Sequence, residues 1–139
     1  MKNLRYFFLA FTALFMATAA HAQLTNVKAI VPFDFVVADH AYPAGEYSIK
    51  TIGEGDKTLR IDNTVEATTN LVLSHTCLQL APSLTTKLVF HRVGDNYFLY
   101  QIWRAGNSEG REFPVSRTEI QIGQNENPEL IIVAANITR

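Results

Sequence analysis

The sequence predicts an all-β protein, either a single antiparallel β-sandwich or a small β-barrel, with one short helix near the C-terminal end. Short segments of alternating apolar and polar residues recur roughly every ten residues, with Gly, Pro, Asn and Asp between them, as in sandwiches and barrels. A capped-helix pattern occurs in a single segment. The chain has 139 residues, and no change in composition along it indicates a second domain.

The first 22 residues have the three parts of a secretory signal peptide. Lys2 and Arg5 give a positive start, an apolar run covers residues 6–16, and Ala20 and Ala22 place small side chains where a signal peptidase reads. The apolar run is shorter than the about 20 residues of a transmembrane helix. The pattern therefore indicates export.

We expect cleavage between Ala22 and Gln23 and a periplasmic or secreted protein. Residues 23–139 then form one antiparallel β domain with no transmembrane segment in the mature chain. Because Lys2 and Arg5 leave with the signal peptide, the formal charge falls from −1 to −3. The mature chain has no basic run, so nucleic acid is not an expected partner.

Cys77 is the only cysteine of the chain, so no disulfide can form within it. The hydrophobic core must therefore stabilise the domain. We expect the thiol to be a small buried group; pairing between chains and nucleophilic reactivity remain alternatives.

The first predicted strand is long and has a clear inner face. One side of it carries only apolar residues: Val27, Ala29, Val31, Phe33, Phe35 and Val37. Pro32 lies on the opposite side and cannot donate a ladder hydrogen bond. It therefore predicts a sheet edge or a bulge in this strand.

Three further strands follow at short spacing. The first covers residues 46–52, and a short one around Leu59 and Ile61 comes after the turn at residues 53–56. Asn63 is expected to begin the next turn. Residues 67–76, rich in Thr, Val and Leu, form the fourth strand of the series.

A hairpin over residues 87–103 is the clearest local prediction. A two-residue turn at Gly94 and Asp95 places His91 on the face of Phe98; a three-residue turn places Phe90 there instead. The sequence leaves both registers open. In either case both faces are largely apolar, which indicates strands that are covered on both sides.

The C-terminal part predicts a loop, a helix and a last strand. Residues 105–111 are polar and contain glycine, so we expect a surface loop. Ser116 and Glu119 have the spacing of a capping box, which predicts a helix over residues 117–122. A final buried strand is expected over residues 130–135.

The sequence shows no recognisable catalytic or metal-binding motif. Three histidines remain in the mature chain, His40, His75 and His91, without the paired spacing of zinc ligands. Ser108 lacks the flanking glycines of a nucleophile elbow. Four carboxylates that could act in a glycosidase lie in polar strand positions or turns: Asp34, Glu46, Asp62 and Glu66. We therefore expect no catalytic residue, no metal and no cofactor.

One polar and aromatic cluster is the candidate ligand-binding site. Its members end the hairpin, occupy the following loop or open the helix: Trp103, Arg104, Asn107, Arg111 and Arg117. A tryptophan beside arginines can bind a carboxylate, a sugar or a peptide. The alternative is that Trp103 fills the core while Arg111 and Arg117 pair with nearby glutamates.

Four segments together resemble a family of small exported bacterial proteins that is common in soil-dwelling lineages. They are VPFDF at 31–35, PAGEY at 43–47, LVFHRVGDNYFL at 88–99 and GREFPVSR at 110–117. The resemblance implies a signal peptide and one compact β domain. It brings no catalytic residue, cofactor or partner.

These observations favour a non-catalytic envelope module that binds a protein or polymer partner, with the Pro32 strand as one edge for pairing. One alternative is a small barrel that carries an apolar or amphipathic ligand among its aromatic side chains. A second is a hydrolase with dispersed catalytic residues. An outer-membrane barrel would need about eight strands of 9–11 residues, which is longer than most strands predicted here.

Overall fold

The computed structural model describes residues 26–53, 55 and 57–138. The predicted signal peptide and its cleavage site at Ala22 and Gln23 lie outside the described residues. The described residues form a mostly β structure in which one sheet curls into a half-barrel, with a single short helix near the C-terminus. The predicted fold class is thereby confirmed.

Eleven strands make up the sheet within this part of the chain. In chain order they are β1 Asn26–Val31, β2 Phe35–Val37, β3 His40–Tyr42, β4 Gly45–Ile52, β5 Thr58–Asn63, β6 Thr68–Leu73, β7 His75–Leu78, β8 Lys87–Val93, β9 Asn96–Trp103, β10 Glu109–Glu112 and β11 Glu129–Thr138. The helix α1 spans Arg117–Ile122, and a 3-10 turn follows over Gly123–Asn125. No helix among the described residues is both long and apolar enough to cross a membrane.

The strand order explains how the sheet curls. The main path runs β3-β2-β9-β8-β11-β1-β4-β5-β6, and β10 joins β9 on one side and β7 on the other. β6 and β7 are consecutive segments separated by Ser74. Because β6 bonds to β5 and β7 bonds to β10, this one stretch of chain brings the two halves of the sheet together.

The alternation of the first predicted strand is confirmed, but its position is not. Each apolar residue of the inner face is buried in the core or packed against it. The predicted single strand is broken, however, because β1 ends before Pro32 and β2 begins at Phe35. β1 lies between β11 and β4, so of the two alternatives predicted at Pro32, a sheet edge or a bulge, the edge is wrong, and the strand is interrupted there. Proline ends the strand here, since it has no N–H to continue the ladder.

The short strand β2 also departs from the predicted antiparallel pattern. Val36 pairs with Phe98 in a parallel arrangement, whereas β2 pairs antiparallel with β3. β3 follows β2 directly, and the bend between the two strands places Ala38 and Asp39 at φ 45° and 71°.

The hairpin adopts the two-residue turn, since Val93 pairs with Asn96 and His91 with Phe98. Further along, the pairing shifts: Phe90 lies opposite Leu99 but Val89 opposite Gln101. The register shift leaves Tyr100 as an extra residue, a β-bulge that changes which side chains face outward. Its carbonyl oxygen accepts a hydrogen bond from the Phe113 N–H at 2.9 Å.

The helix matches its prediction residue for residue. The Ser116 hydroxyl accepts a hydrogen bond from the Glu119 N–H at 3.0 Å, and Gly123 is the C-cap. Asp39 adds a second cap, because its carboxylate accepts from the Arg117 N–H at 2.8 Å.

Two C-terminal predictions need correction. The loop predicted over residues 105–111 contains the first part of β10, which finds partners on both sides in β9 and β7. The last strand was predicted as buried over residues 130–135, but β11 runs over Glu129–Thr138 and leaves Leu130 and Ile132 about 60% exposed. Only one of its faces meets the core.

Aromatic rings fill the centre of the curled sheet. Phe35 packs edge to face on Tyr47 and on Phe90, and it stacks on Tyr42. Tyr47 and Phe90 are fully buried. Burial of large rings at this density is the main source of stability that a disulfide-free domain has available.

Candidate functional site

Trp103 is buried on the outer face of β9. Its side chain is 5% exposed, and its indole Nε1–H donates to the Gln101 side-chain oxygen at 3.0 Å. Gly110 on β10 lies directly opposite, where a Cβ would come within 2.8 Å of the ring. The glycine is therefore needed so that the ring can lie flat against β10, and Trp103 offers no free face to a ligand.

Arg104 and Arg111 come together at one end of the sheet's interior. They line a cavity of about 30 Å³ whose floor includes Ile49 and Ile102. Arg111 donates to the Thr76 hydroxyl at 3.0 Å.

The remaining two members of the predicted cluster lie elsewhere. Asn107 shapes the turn after β9: its carbonyl oxygen accepts from the Ser83 N–H at 2.9 Å. Arg117 opens α1 beside Asp39, at the end of β9 where Phe98 meets β2. The structure thus brings Arg104 and Arg111 together and separates them from Arg117.

Two larger grooves lie open at the surface of the described structure. One of about 400 Å³ is bordered by Asp34, Tyr42 and Tyr97. The other, about 380 Å³, crosses the outer face between Ile30 and Asn136. Both are shallow surface features rather than an enclosed chamber.

An outer-face polar cluster, which the sequence did not single out, joins the hairpin to β10 and α1. It consists of His91, Tyr100, Gln101, Glu112 and Glu119. His91 stacks on Tyr100 with ring centroids 3.9 Å apart, and its Nδ1 shares a hydrogen bond of 2.6 Å with Glu119. The Gln101 amide donates to the Glu112 carboxylate at 2.8 Å. Because Glu119 bonds to His91, its side chain does not complete the predicted capping box but ties α1 to the sheet.

The electrostatics beside this cluster do not activate a nucleophile. Burial, followed by the carboxylate of Glu112, raises the pKa of the Cys77 thiol. Burial and the same carboxylate also raise the pKa of Tyr100. A nucleophilic cysteine needs the opposite shift, toward thiolate.

No group of three or more His, Cys, Asp or Glu side chains among the described residues is arranged to hold a metal ion. The His91 and Glu119 side chains, which contact each other, are 13% and 11% exposed.

The most unusual surface is the leucine edge, which we define as residues 67–86. Asp, Glu, Lys and Arg are all absent from this stretch, which includes β6 and β7. Its leucines at 71, 73, 78, 80 and 84 are each more than 60% exposed. Soluble proteins usually protect an edge strand with charge or proline, so the uncharged strand β6, with Leu71 and Leu73 exposed, is unusual for the end of a sheet.

The backbone of β6 is unpaired along one side. Ser74 donates to the Lys57 carbonyl at 2.7 Å, which places every second residue of β6 in hydrogen bonds to β5. By this alternation the N–H and C=O groups of Thr69, Leu71 and Leu73 point away from β5. β6 ends the main path of the sheet, so these groups are available to another strand.

The sequence contains a signal for this edge that the strand predictions did not use. Alternation locates strands, but it does not tell a central strand from an edge strand. The absence of charge over residues 67–86, in a chain of 18% charged residues, is the property that singles out this segment.

Comparison of the chain with protein-family models, with curated proteins and with solved structures gives no match in any of the three. The resemblance to a family of exported bacterial proteins therefore stays a prediction.

Proposed function

We propose that the protein is an exported, non-catalytic envelope module that binds a protein partner by adding a strand of that partner to β6. The observation that carries the proposal is the leucine edge, where exposed leucines and unpaired backbone groups coincide. A partner strand would gain backbone hydrogen bonds from Thr69, Leu71 and Leu73 and apolar contacts from the two leucines.

A protein fits this edge better than a polysaccharide does. The available backbone groups alternate donors and acceptors at the spacing of another strand. The leucine side chains offer apolar contacts, whereas hydroxyl-rich sugars are bound mainly by polar and aromatic groups.

Two further observations favour a binding module over the alternatives. A ligand carrier needs an enclosed cavity of roughly 300 Å³ or more, whereas the interior space at Arg104 and Arg111 is about 30 Å³ and the two larger grooves are open at the surface. Hydrolysis by a cysteine nucleophile is disfavoured too, because the attacking group is the thiolate and burial raises the pKa of Cys77. Export is proposed on the signal-peptide pattern before Gln23.

Photo-cross-linking in the producing cell tests the proposal. A photoreactive amino acid at position 71 should give a discrete adduct to a protein in the exported fraction, because Leu71 lies on the open edge. The matched control is position 30, where Ile30 is also apolar and 70% exposed but lies on β1, inside the main path of the sheet and away from the leucine edge.

An adduct from position 71 and none from position 30 supports strand addition at β6. No adduct from position 71, or the same adducts from both positions, contradicts the proposal. N-terminal sequencing of the cross-linked product reports export, since the mature chain should begin at Gln23.

A further inference from the structure

Resting on the proposed function, we infer that the partner strand at β6 is β6 of a second copy, so that two sheets join across a two-fold axis at Leu71. The inference depends on three properties of β6: its open backbone, its lack of charge and the two exposed leucines, Leu71 and Leu73.

In an antiparallel pair of identical strands, each side chain must be compatible with the residue that lies opposite it in the second copy. Centred on Leu71, the register places Leu71 opposite itself and Thr69 opposite Leu73 of the other copy. Asn70 then lies opposite Val72. No charged side chain occurs between residues 67 and 86, so no like charges face each other, which would otherwise destabilise the pair.

The hydrogen-bonding pattern fits the same register. Thr69, Leu71 and Leu73 each present an N–H and a C=O to the edge, and in this register they face one another. The pair would form about six inter-strand hydrogen bonds. Leu71 and Leu73 are 61% and 65% exposed and lie on the outer face in both copies, so the four leucine side chains would form one apolar cluster.

The other end of the main path is poorly suited to such pairing. β3 has three residues, and a bend with Asp39 at φ 71° precedes it. A short, bent edge beside a carboxylate has the protection that edge strands usually carry. An isologous contact at β6 alone gives a closed two-fold dimer rather than a fibre.

Light scattering coupled to size exclusion, on the exported form purified without refolding, tests the inference. Over about 1 μM to 1 mM, a range that spans weak dimers, we expect a monomer–dimer equilibrium. Leu71→Lys places two ammonium groups opposite each other and should raise the dimer Kd about tenfold or more. Leu130→Lys, at a position 60% exposed on β11, is the matched control and should leave the Kd unchanged.

Leu71→Pro separates strand pairing from side-chain contact, because the Leu71 N–H points to the open edge and its loss breaks no bond to β5. It should also abolish the dimer, with circular dichroism and thermal unfolding confirming that the domain is folded. A monomer at every concentration, or a dimer that persists in Leu71→Pro, overturns the inference.

The two proposals fail separately. A monomeric purified protein together with a position-71 adduct to a different protein overturns the second copy as partner but supports strand addition. A monomer without any position-71 adduct contradicts both.

Discussion

At the scale of single residues, two buried tyrosines show how differently one hydroxyl group can be accommodated. The Tyr47 hydroxyl donates to the Pro43 carbonyl at 2.5 Å and accepts from the Asn63 amide at 3.2 Å. Among the described residues, the Tyr42 hydroxyl has no hydrogen-bond partner that meets ordinary geometry, although Asn70 is near enough to affect its pKa. A buried polar group without a partner costs about 1–3 kcal/mol.

Replacement of each tyrosine by phenylalanine should therefore have opposite results. Tyr42→Phe removes an unsatisfied hydroxyl and should be neutral or stabilising by about 1 kcal/mol, whereas Tyr47→Phe removes two hydrogen bonds and should cost about 1–3 kcal/mol. Urea unfolding at pH 7 measures both. Equal losses of stability would show that the Tyr42 hydroxyl is satisfied.

The stability of Tyr42→Phe should also depend on pH differently from that of the wild type. Burial raises the pKa of Tyr42 to about 12 in the folded state from an ordinary value of 10.0. The folded state therefore favours the neutral form of Tyr42. The resulting contribution to the free energy of unfolding is complete below about pH 10 and is lost as the pH rises toward 12. Tyr42→Phe should lose less stability than the wild type over that interval.

At the scale of elements, side chains of β5 hold β6 in place. The Asp62 carboxylate accepts from Arg60 Nε at 2.8 Å and from the Thr69 hydroxyl on β6 at 2.7 Å. The hydrogen bond from Arg60 is the main cause that lowers the pKa of Asp62 below its ordinary 3.8. These contacts fix the outer face of β6 beside Leu71 without using its open edge.

Acid should therefore loosen the attachment of β6. The pKa of Asp62 is lower in the folded state than in the unfolded state. The contribution of its carboxylate to the free energy of unfolding is therefore complete above the ordinary pKa and is lost as the pH falls through the folded-state pKa. Asp62→Asn should be less stable than the wild type at pH 7, and the difference in unfolding free energy should close as the pH falls below the ordinary pKa of 3.8.

Arg60→Gln is the matched control, since it keeps the carboxylate but removes the main cause of the lowered pKa. The unfolding free energy of this variant should fall less steeply with decreasing pH than that of the wild type. A difference between wild type and Asp62→Asn that stays constant with pH would contradict the role assigned to this ion pair.

At the scale of the whole molecule, the sequence predicted what short-range rules determine and missed what depends on distant partners. Ser116, Glu119 and Gly123 define α1 through contacts within one turn, so its bounds could be predicted. The inner face of residues 27–37 also followed from alternation alone. Of the edge or bulge predicted at Pro32, the edge is wrong, because β11, more than a hundred residues away in sequence, pairs with residues 26–29 of β1 and places that strand inside the sheet.

The candidate site was harder to predict for the same reason. Trp103 faces outward onto Gly110 because a bulge at Tyr100 shifts the register of β9. No local sequence pattern predicts that bulge. Arg104 and Arg111 come together only because β10 pairs with β9. Which strand ends the sheet is a property of the complete pairing order, so the open edge at β6 became visible only with the fold.

The central claim is that β6 is open in the monomer and closed on association. Residue-resolved amide hydrogen exchange on the monomeric Leu71→Lys variant and on concentrated wild type tests it most directly. In the variant, the amides at 69, 71 and 73 should exchange about 100-fold or more faster than those of Asn70 and Val72, which bond to β5. In the wild type they should become protected. If those three amides are as protected as Asn70 and Val72 in the monomeric variant, the edge is already covered and the account is contradicted.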